Sequence, residues 1–600
     1  MILNKYIGKI IRDAGLILFS AIVFCFFVEI LLYFSWKATN STKLDTLYGN
    51  DLHWPKWELK NTVYPAHSEA KDMIKIAVFG GSSAAGSISE RTFSFYMRQE
   101  LVKIFGSHKV YVRNYAGNGD AFHKEQARFA KSAAPYYDIL VIYAGHNEWV
   151  NPYFANGGIK LYNVVERRNI EHVRNQIQSD IIAEFNPRLL SLHTPYKYSR
   201  IYAILSKLFY KISAWTNTGR DPGGYLKQHK VVRPMANEPE KIFPQATIDG
   251  LHIPFKHDLQ KIGHIVKRND GVAIVIPGAS NEFWPPSFSK IPKQLSGIDK
   301  KRIENNLAAA EKLYNAGDSR SARKILFEML NLAPRHAFAH YLLGMSYFQE
   351  GQYKLAWRHL ETAVDEDGFP MRALSSVKRS AYDADKKSSS IISINHTDTV
   401  RKLIEGGVPV ELLIPDWLHP SLLNHVLIGR SVLCQLSMIE KYSRIPRRKY
   451  CSAVDPDRAE DIYRKIMNSM GVTQSQTAHE MNNYLQYGML MARLTAHPDA
   501  YYVFVEKEVL PKVFFNRGAN KSQSVKYLVY KSILWSLQGN DCHTVKQLLD
   551  KSLSIDNGLT KTIIDNNFDF TSYYNFKQIL NHVGISLEYP NDARVVRCLK

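Results

Sequence analysis

An α/β fold built on a parallel sheet is the architecture the sequence predicts for the body of this chain, and three observations carry it. Short apolar runs rich in β-branched residues recur at Ile74–Phe79, Val110–Tyr115, Ile139–Tyr143, Val272–Ile276 and Val410–Ile414, each bounded by turn residues. That length and make-up suit strands buried on both faces. Helical patterns such as Phe93–Phe105 and His123–Ser132 lie between them, and strands alternating with helices form a parallel sheet covered on both sides. Polar clusters follow four of the five runs, at the strand ends where open α/β sheets bind ligands.

Ahead of this body lies a membrane signal. Ala14 to Trp36 is a 23-residue apolar stretch with a single charge, Glu29, and Lys5, Lys9 and Arg12 precede it. About 20 apolar residues cross the ~30 Å hydrocarbon core as a helix, and positive flanks stay cytoplasmic. No A-x-A-type cleavage site follows, which favours an anchor over a cleaved signal peptide. The expected topology is a cytoplasmic tail (1–13), one transmembrane helix (14–36) and an extracytoplasmic body, periplasmic in a Gram-negative cell.

The α/β domain is expected over residues 73–440, interrupted twice. Residues 151–245 are helical and aromatic-rich, without an assignable motif. Residues 300–368 repeat: Gly317 and Gly351 are 34 apart, as are Ala322 and Ala356, and Leu343, Gly344, Tyr347 and Ala363 complete the second unit. The period and residue types resemble two tetratricopeptide repeats, whose small residues let paired helices approach closely. Two such units need further packing partners. Residues 450–600 read as a helical C-terminal domain.

Composition bounds the function classes. Apolar residues make up 45% and charged residues 22%, ordinary for a folded protein. The net charge of +21 fits an anionic polymer, an acidic membrane surface or a dispersed basic surface. Nucleic acid conflicts with the expected topology. The densest basic cluster, Arg444, Arg447, Arg448 and Lys449, reads as a solvated linker. Cys25, Cys434, Cys451, Cys542 and Cys598 contain no C-x-x-C pair, and the last four allow three pairings or none. No cofactor is expected, and no cluster has metal-ligand spacing.

Chemistry enters at the strand ends. The first run leads into Phe79-Gly80-Gly81-Ser82-Ser83-Ala84-Ala85-Gly86, a serine in a small-residue turn. Neither the Gly-Lys-Ser/Thr ending of a phosphate loop nor the G-x-G-x-x-G spacing is present. The second run ends in Gly117-Asn118-Gly119-Asp120, the third in Gly145-His146-Asn147-Glu148, and the last in Asp416-Trp417-Leu418-His419. Together, in this order, these stretches resemble the signature blocks of the SGNH (GDSL-type) hydrolase superfamily. Gly81 departs from them, standing where that family often has Asp or Glu.

The resemblance implies a three-layer α/β/α hydrolase with Ser82 as nucleophile, His419 as base and Asp416 as its orienting partner. The backbone N–H groups of Ser82 and Gly119 and the Asn147 amide would form the oxyanion hole. The segment around Asn281 and Trp284 should line the site, and Arg372 is read as a second substrate-binding candidate with Asn281. His146 and Glu148 are taken as supporting groups and His425 as a helix-surface histidine. The expected activity is a membrane-anchored esterase acting on an acylated envelope glycan or lipid. An O-acyltransferase with the same triad, and a scaffold that binds a protein partner through its repeats, are the alternatives.

Overall fold

The computed structural model describes residues 73–86, 92–117, 121–149, 245–455, 497–515, 521–538 and 542–561. The apolar stretch 14–36, the insertion up to residue 244 and the C-terminal 562–600 lie outside the described residues. Among the described residues no helix is long and apolar enough to cross a membrane.

Five parallel strands form one sheet in the order β2-β1-β3-β4-β5. They are β1 (Ile74–Gly80), β2 (Val110–Asn114), β3 (Ile139–Ala144), β4 (Val272–Pro277) and β5 (Ile391–Ser393). Register follows the hydrophobic pattern: Ile76 sits opposite Val112 on one side and Ile139 on the other. Helix α1 (Ser82–Ala85) turns directly out of β1, and α2 (Phe93–Phe105) follows it. A π-turn (Phe122–Gln126) leads into α3 (Ala127–Ala133) before β3. Then come α4 (Gln245–Gly250) and α5 (His252–Arg268) before β4.

Side chains alternate between the two faces of a strand. Ile76 and Val78 of β1 share a core with Phe93, Met97 and Leu101 of α2. On the opposite parity, Ala77 and Phe79 are equally buried, on the side where α3 and α5 pack.

Between β4 and β5 the chain first runs through four helices that pair up, α6 (Gly297–Asn315), α7 (Ser319–Leu332), α8 (Ala337–Gln349) and α9 (Tyr353–Asp365). They make two successive hairpins with the sequence period built in. Gly317 (φ 88°) and Gly351 (φ 72°) turn each hairpin in the left-handed region, where glycine avoids the Cβ clash. A Cβ on Gly344 would lie 2.6 Å from Leu360 Cγ. One period earlier stand Ala310 and Leu326, both fully buried, so the small residue and the leucine recur in the core of both units.

The chain continues through α10 (Ser375–Lys387), β5, α11 (His396–Glu405), a 3-10 turn (Val410–Leu412), α12 (Leu422–Leu436) and α13 (Arg447–Cys451). The C-terminal described residues form α14 (Pro498–Phe504), a π-turn (Val505–Val509), α15 (Leu510–Phe515), α16 (Lys521–Leu537) and α17 (Cys542–Ile555).

Two expectations need correction. Val410–Ile414 is not a strand: Pro409 precedes it, and Ile414 N–H bonds back to the Val410 carbonyl (2.7 Å), closing a turn. A five-residue apolar run is ambiguous between the two states. The fifth strand is instead the short Ile391–Ser393, paired with Ala273–Val275.

Nor does the boundary near residue 440 begin a separate body, because all described residues fall in one unit. Residues 497–515 are packed among the hairpins: Phe504 stacks on Phe283 (4.8 Å) and His497 on Phe338 (3.6 Å). Cys434 and Cys451 form a disulfide that ties α13 to α12.

Candidate active site

The strand order reverses direction between β1 and β3, since β2 lies to one side of β1 while β3, β4 and β5 lie to the other. In such sheets the crevice at the carboxyl ends beside that reversal is the favoured binding place. Ser82 follows β1 and Asn147 follows β3, so both stand at this point.

The turn that presents Ser82 is forced tight by its sequence. At Gly80 a Cβ would come 2.1 Å from the Tyr143 carbonyl oxygen and 2.7 Å from Ala84 Cβ, so only glycine fits there. Gly86 ends the short helix in the left-handed region (φ 84°). Two side chains to which the sequence assigns no role hold this turn. Asn114 Nδ2 donates to the Ala84 carbonyl (2.8 Å). Gln126, fully buried, accepts from Gly80 N–H (3.3 Å) and donates to the Tyr115 carbonyl (3.2 Å). Their signal was position alone: polar residues within otherwise apolar elements.

Across the crevice, Ser82 Oγ is 2.8 Å from His419 Nε2. The other ring nitrogen of His419 is 2.5 Å from Asp416 Oδ2. Asp416 has no exposed surface, and its second oxygen accepts from the Leu418 and His419 N–H groups (2.8 and 2.7 Å). A buried carboxylate needs such donors. With both oxygens engaged, its position and the imidazole's orientation are set together. Ser82 is half-buried, whereas His419 is 7% exposed.

The loop bearing Asp416 and His419 has no strand to hold it, and side chains do that work. Asn281 N–H donates to the Trp417 carbonyl (3.1 Å) and its Nδ2 donates to the Ile414 carbonyl (3.1 Å), so it grips the loop on both sides of Asp416. Ser83 Oγ donates to the Leu418 carbonyl (3.1 Å), joining the loop to the turn that bears Ser82. From below, Tyr501 of α14 donates to buried Glu411 (2.9 Å) in the 3-10 turn. Rings continue the contact: Tyr501 meets Trp284 (5.2 Å), Trp284 meets Trp417 (5.7 Å), and Trp417 meets His419 edge-on (6.0 Å).

Both substrate-binding candidates are reassigned by this geometry. Asn281 is fully buried, and its amide is taken up by the loop contacts and by Phe283 N–H (3.0 Å). Arg372 is 3% exposed; it pairs with Asp367 (3.3 Å) and donates to the Trp284 (2.6 Å) and Asn281 (3.3 Å) carbonyls. A guanidinium so enclosed braces the 281–284 segment and offers substrate nothing. His425 is also corrected: it is 2% exposed, inside the core.

Asn147 is 9% exposed and lines a cavity of about 10 Å³ with Gly81, Ser83, Tyr143, His146 and Glu148. That is room for about one water molecule. Gly119, the other expected oxyanion donor, lies outside the described residues. Glu148 reaches back to accept from the Phe122 and His123 N–H groups (3.0 and 3.2 Å). Burial nevertheless lifts its pKa to about 7. His146 and His425 are pushed down to about 3, first by burial and then by the His419 charge. Both imidazoles therefore stay neutral at physiological pH and put no full positive charge against an imidazolium at His419.

The arrangement can take a proton from a hydroxyl and stabilise the cation that results. Among the described residues no group of three or more His, Cys, Asp or Glu is placed to hold a metal ion. Comparison of the chain with protein-family models, curated proteins and solved structures finds no match to any of them.

Proposed function

We propose that this chain is an SGNH-type serine esterase, anchored through residues 14–36, whose two hairpins are tetratricopeptide-like repeats. One observation carries the reading: Ser82 Oγ, His419 and Asp416 lie in a single hydrogen-bonded line, 2.8 and 2.5 Å apart, although 337 residues separate the first two.

A serine hydroxyl is a weak nucleophile until a base takes its proton. His419 Nε2 accepts that proton as Oγ attacks an ester carbonyl carbon, and Asp416 stabilises the imidazolium. The tetrahedral oxyanion is met by the Ser82 N–H, the Asn147 amide and the Gly119 N–H, each typically worth ~3 kcal/mol in the transition state. Collapse breaks the bond to the alkoxy leaving group, which takes the proton from His419. Water, activated by the same imidazole, then releases the acid and restores Ser82. A sugar hydroxyl in place of that water makes the enzyme an acyltransferase. The substrate class proposed is an acylated envelope glycan or lipid.

The Cys434–Cys451 disulfide supports an oxidising, extracytoplasmic setting for the body. A scaffold whose repeats grip a foreign partner is less well supported. The hairpin residues Phe338 and Phe348 share a core with Tyr501 and Phe504 of the chain's own α14.

The test is covalent labelling of the purified full-length chain with a fluorophosphonate, beside Ser82→Ala of matching circular dichroism. Label on the wild type alone is the expected result, with loss of aryl-acetate hydrolysis in the variant. A folded wild-type protein that takes no label, or a variant that takes as much, ends the esterase reading.

A further inference from the structure

The sheet has two ends, and the second carries a feature the esterase reading does not use. The chain from residue 434 to residue 451 is closed by the Cys434–Cys451 disulfide. Within it lie Lys441, Arg444, Arg447, Arg448 and Lys449 against a single acid, Glu440. All six are exposed. The basic stretch that reads as a solvated linker is thus a stapled loop. A chain of this size does not depend on a disulfide for a core, so what the bond contributes here is a fixed presentation of the cations.

Its contacts locate it. Lys441 pairs with Asp138 (2.9 Å), the residue just before β3, which also accepts from Lys75 N–H at the start of β1. Arg444 donates to the Ile104 carbonyl at the end of α2 and lies over Phe105 (5.2 Å). Lys449 pairs with Glu100 of α2, as does Lys103. The loop therefore covers the amino-terminal edge of the sheet. Lys441 and Lys449 keep 60% and 53% of their side chains exposed despite their ion pairs. Among the described residues no carboxylate pairs with Arg444, Arg447 or Arg448.

Ser82 stands at the opposite edge, one strand length away, about 20 Å for seven residues. The chain enters β1 at the same edge that the loop covers, and the apolar stretch 14–36 lies upstream. We infer that the disulfide-closed basic loop at the amino-terminal edge of the sheet docks on an anionic phospholipid surface, holding the catalytic edge away from the membrane. The inference rests on the membrane anchoring proposed above. A separation of 37 residues between positions 36 and 74 does not by itself fix one orientation of the body on a membrane. Cations near an anionic surface then select one, each contributing a several-fold preference. A soluble acidic glycan would also match the charge, but it gives no reason for the loop to share an edge with the incoming chain.

The test uses the full-length chain in vesicles of phosphatidylcholine, with or without about 30% phosphatidylglycerol. Lysine modification by an amine-reactive ester is read by mass spectrometry at Lys441 and Lys449. The exposed Lys324 and Lys354 of α7 and α9 serve as references. Phosphatidylglycerol is expected to slow modification of Lys441 and Lys449 by roughly fivefold or more, with recovery in about 0.5 M salt. Charge reversal at Arg444→Glu, Arg447→Glu and Arg448→Glu is expected to abolish the lipid effect. Equal modification in the two vesicles, or lipid protection that survives the reversal, overturns the inference. So does protection by a soluble polyuronate on neutral vesicles equal to that by phosphatidylglycerol. Flotation with neutral vesicles reads the anchor separately, and fluorophosphonate labelling of Ser82 on the same samples reads the esterase.

Discussion

The two halves of the site are held by different means. The half that carries Ser82 is local: β1 runs straight into Gly80 and Ser82, and Asn114 at the end of β2 and Gln126 of the π-turn hold that turn. The half that carries Asp416 and His419 is remote. Asp416 and His419 sit on a loop without sheet pairing, fixed by Asn281, by Ser83 and, through Glu411, by Tyr501 of the C-terminal helices. A backbone-built half tolerates change in side chains that pack elsewhere, while a half built from side-chain contacts inherits the stability of every element that supplies them. Through Tyr501 and Glu411 the C-terminal helix α14 thus helps to hold the loop that carries Asp416 and His419.

The largest effect should come from the reacting groups, where this contrast vanishes. His419→Ala and Ser82→Ala should each lower kcat for an activated ester by ~10⁴-fold or more, and the double variant little further, because the groups act as one unit. Asp416→Asn should lose about 10⁴-fold with KM little changed, since it holds the imidazole in the wrong tautomer. Additive losses in the double variant would mean that Ser82 and His419 do not share a step.

The contrast itself is tested at Asn281. Its side chain touches no reacting atom, yet it grips the loop at the Ile414 carbonyl, two residues before Asp416. Asn281→Ala should lower kcat about 10- to 100-fold through displacement of His419, leaving KM nearly constant. Gln126→Ala, on the backbone-built half, should lower kcat less. An Asn281 variant with unchanged kcat, or one in which KM alone rises, would return this residue to a substrate-binding role.

The same contrast explains what was legible in the sequence. Four of the five strands fall on apolar runs, and the strand-end clusters were visible because each couples a run to an adjacent turn. Helix α2 lies on Phe93–Phe105 as the pattern predicts. The hairpins announced themselves through a period, Gly317 to Gly351 and Ala322 to Ala356. What could not be read is non-local. The three residues of β5 are too few for a periodic signal, and the run Val410–Ile414 looks apolar because it enters the hairpin core. Asn281 and Arg372 read as substrate-binding residues, and both are instead buried braces. Their burial depends on contacts with residues 133 and 88 positions away, which no window along the chain contains. His425 looked like a surface residue for the same reason, since α12 is buried nearly all round.

The smallest expected effect concerns the brace beneath the loop, and its sign follows from burial. Glu411 is 1% exposed, and removal from water raises its carboxyl to about 7 even though Tyr501 donates to it. In the unfolded chain it ionises near pH 4.5. Between those values the unfolded state loses a proton that the folded state keeps, so stability falls as pH rises through the window. Above it both states are ionised and the whole penalty remains. Glu411→Gln keeps an acceptor for the Tyr501 hydroxyl without a charge, and should raise the melting temperature at pH 8 by a few degrees relative to wild type. At pH 4, where the wild-type carboxyl is protonated in both states, the gain should disappear. Activity should change little at pH 8, because the loop position is preserved. A gain of equal size at both pH values would place the effect in packing, and a loss at pH 8 would mean that the charged carboxylate itself holds the loop.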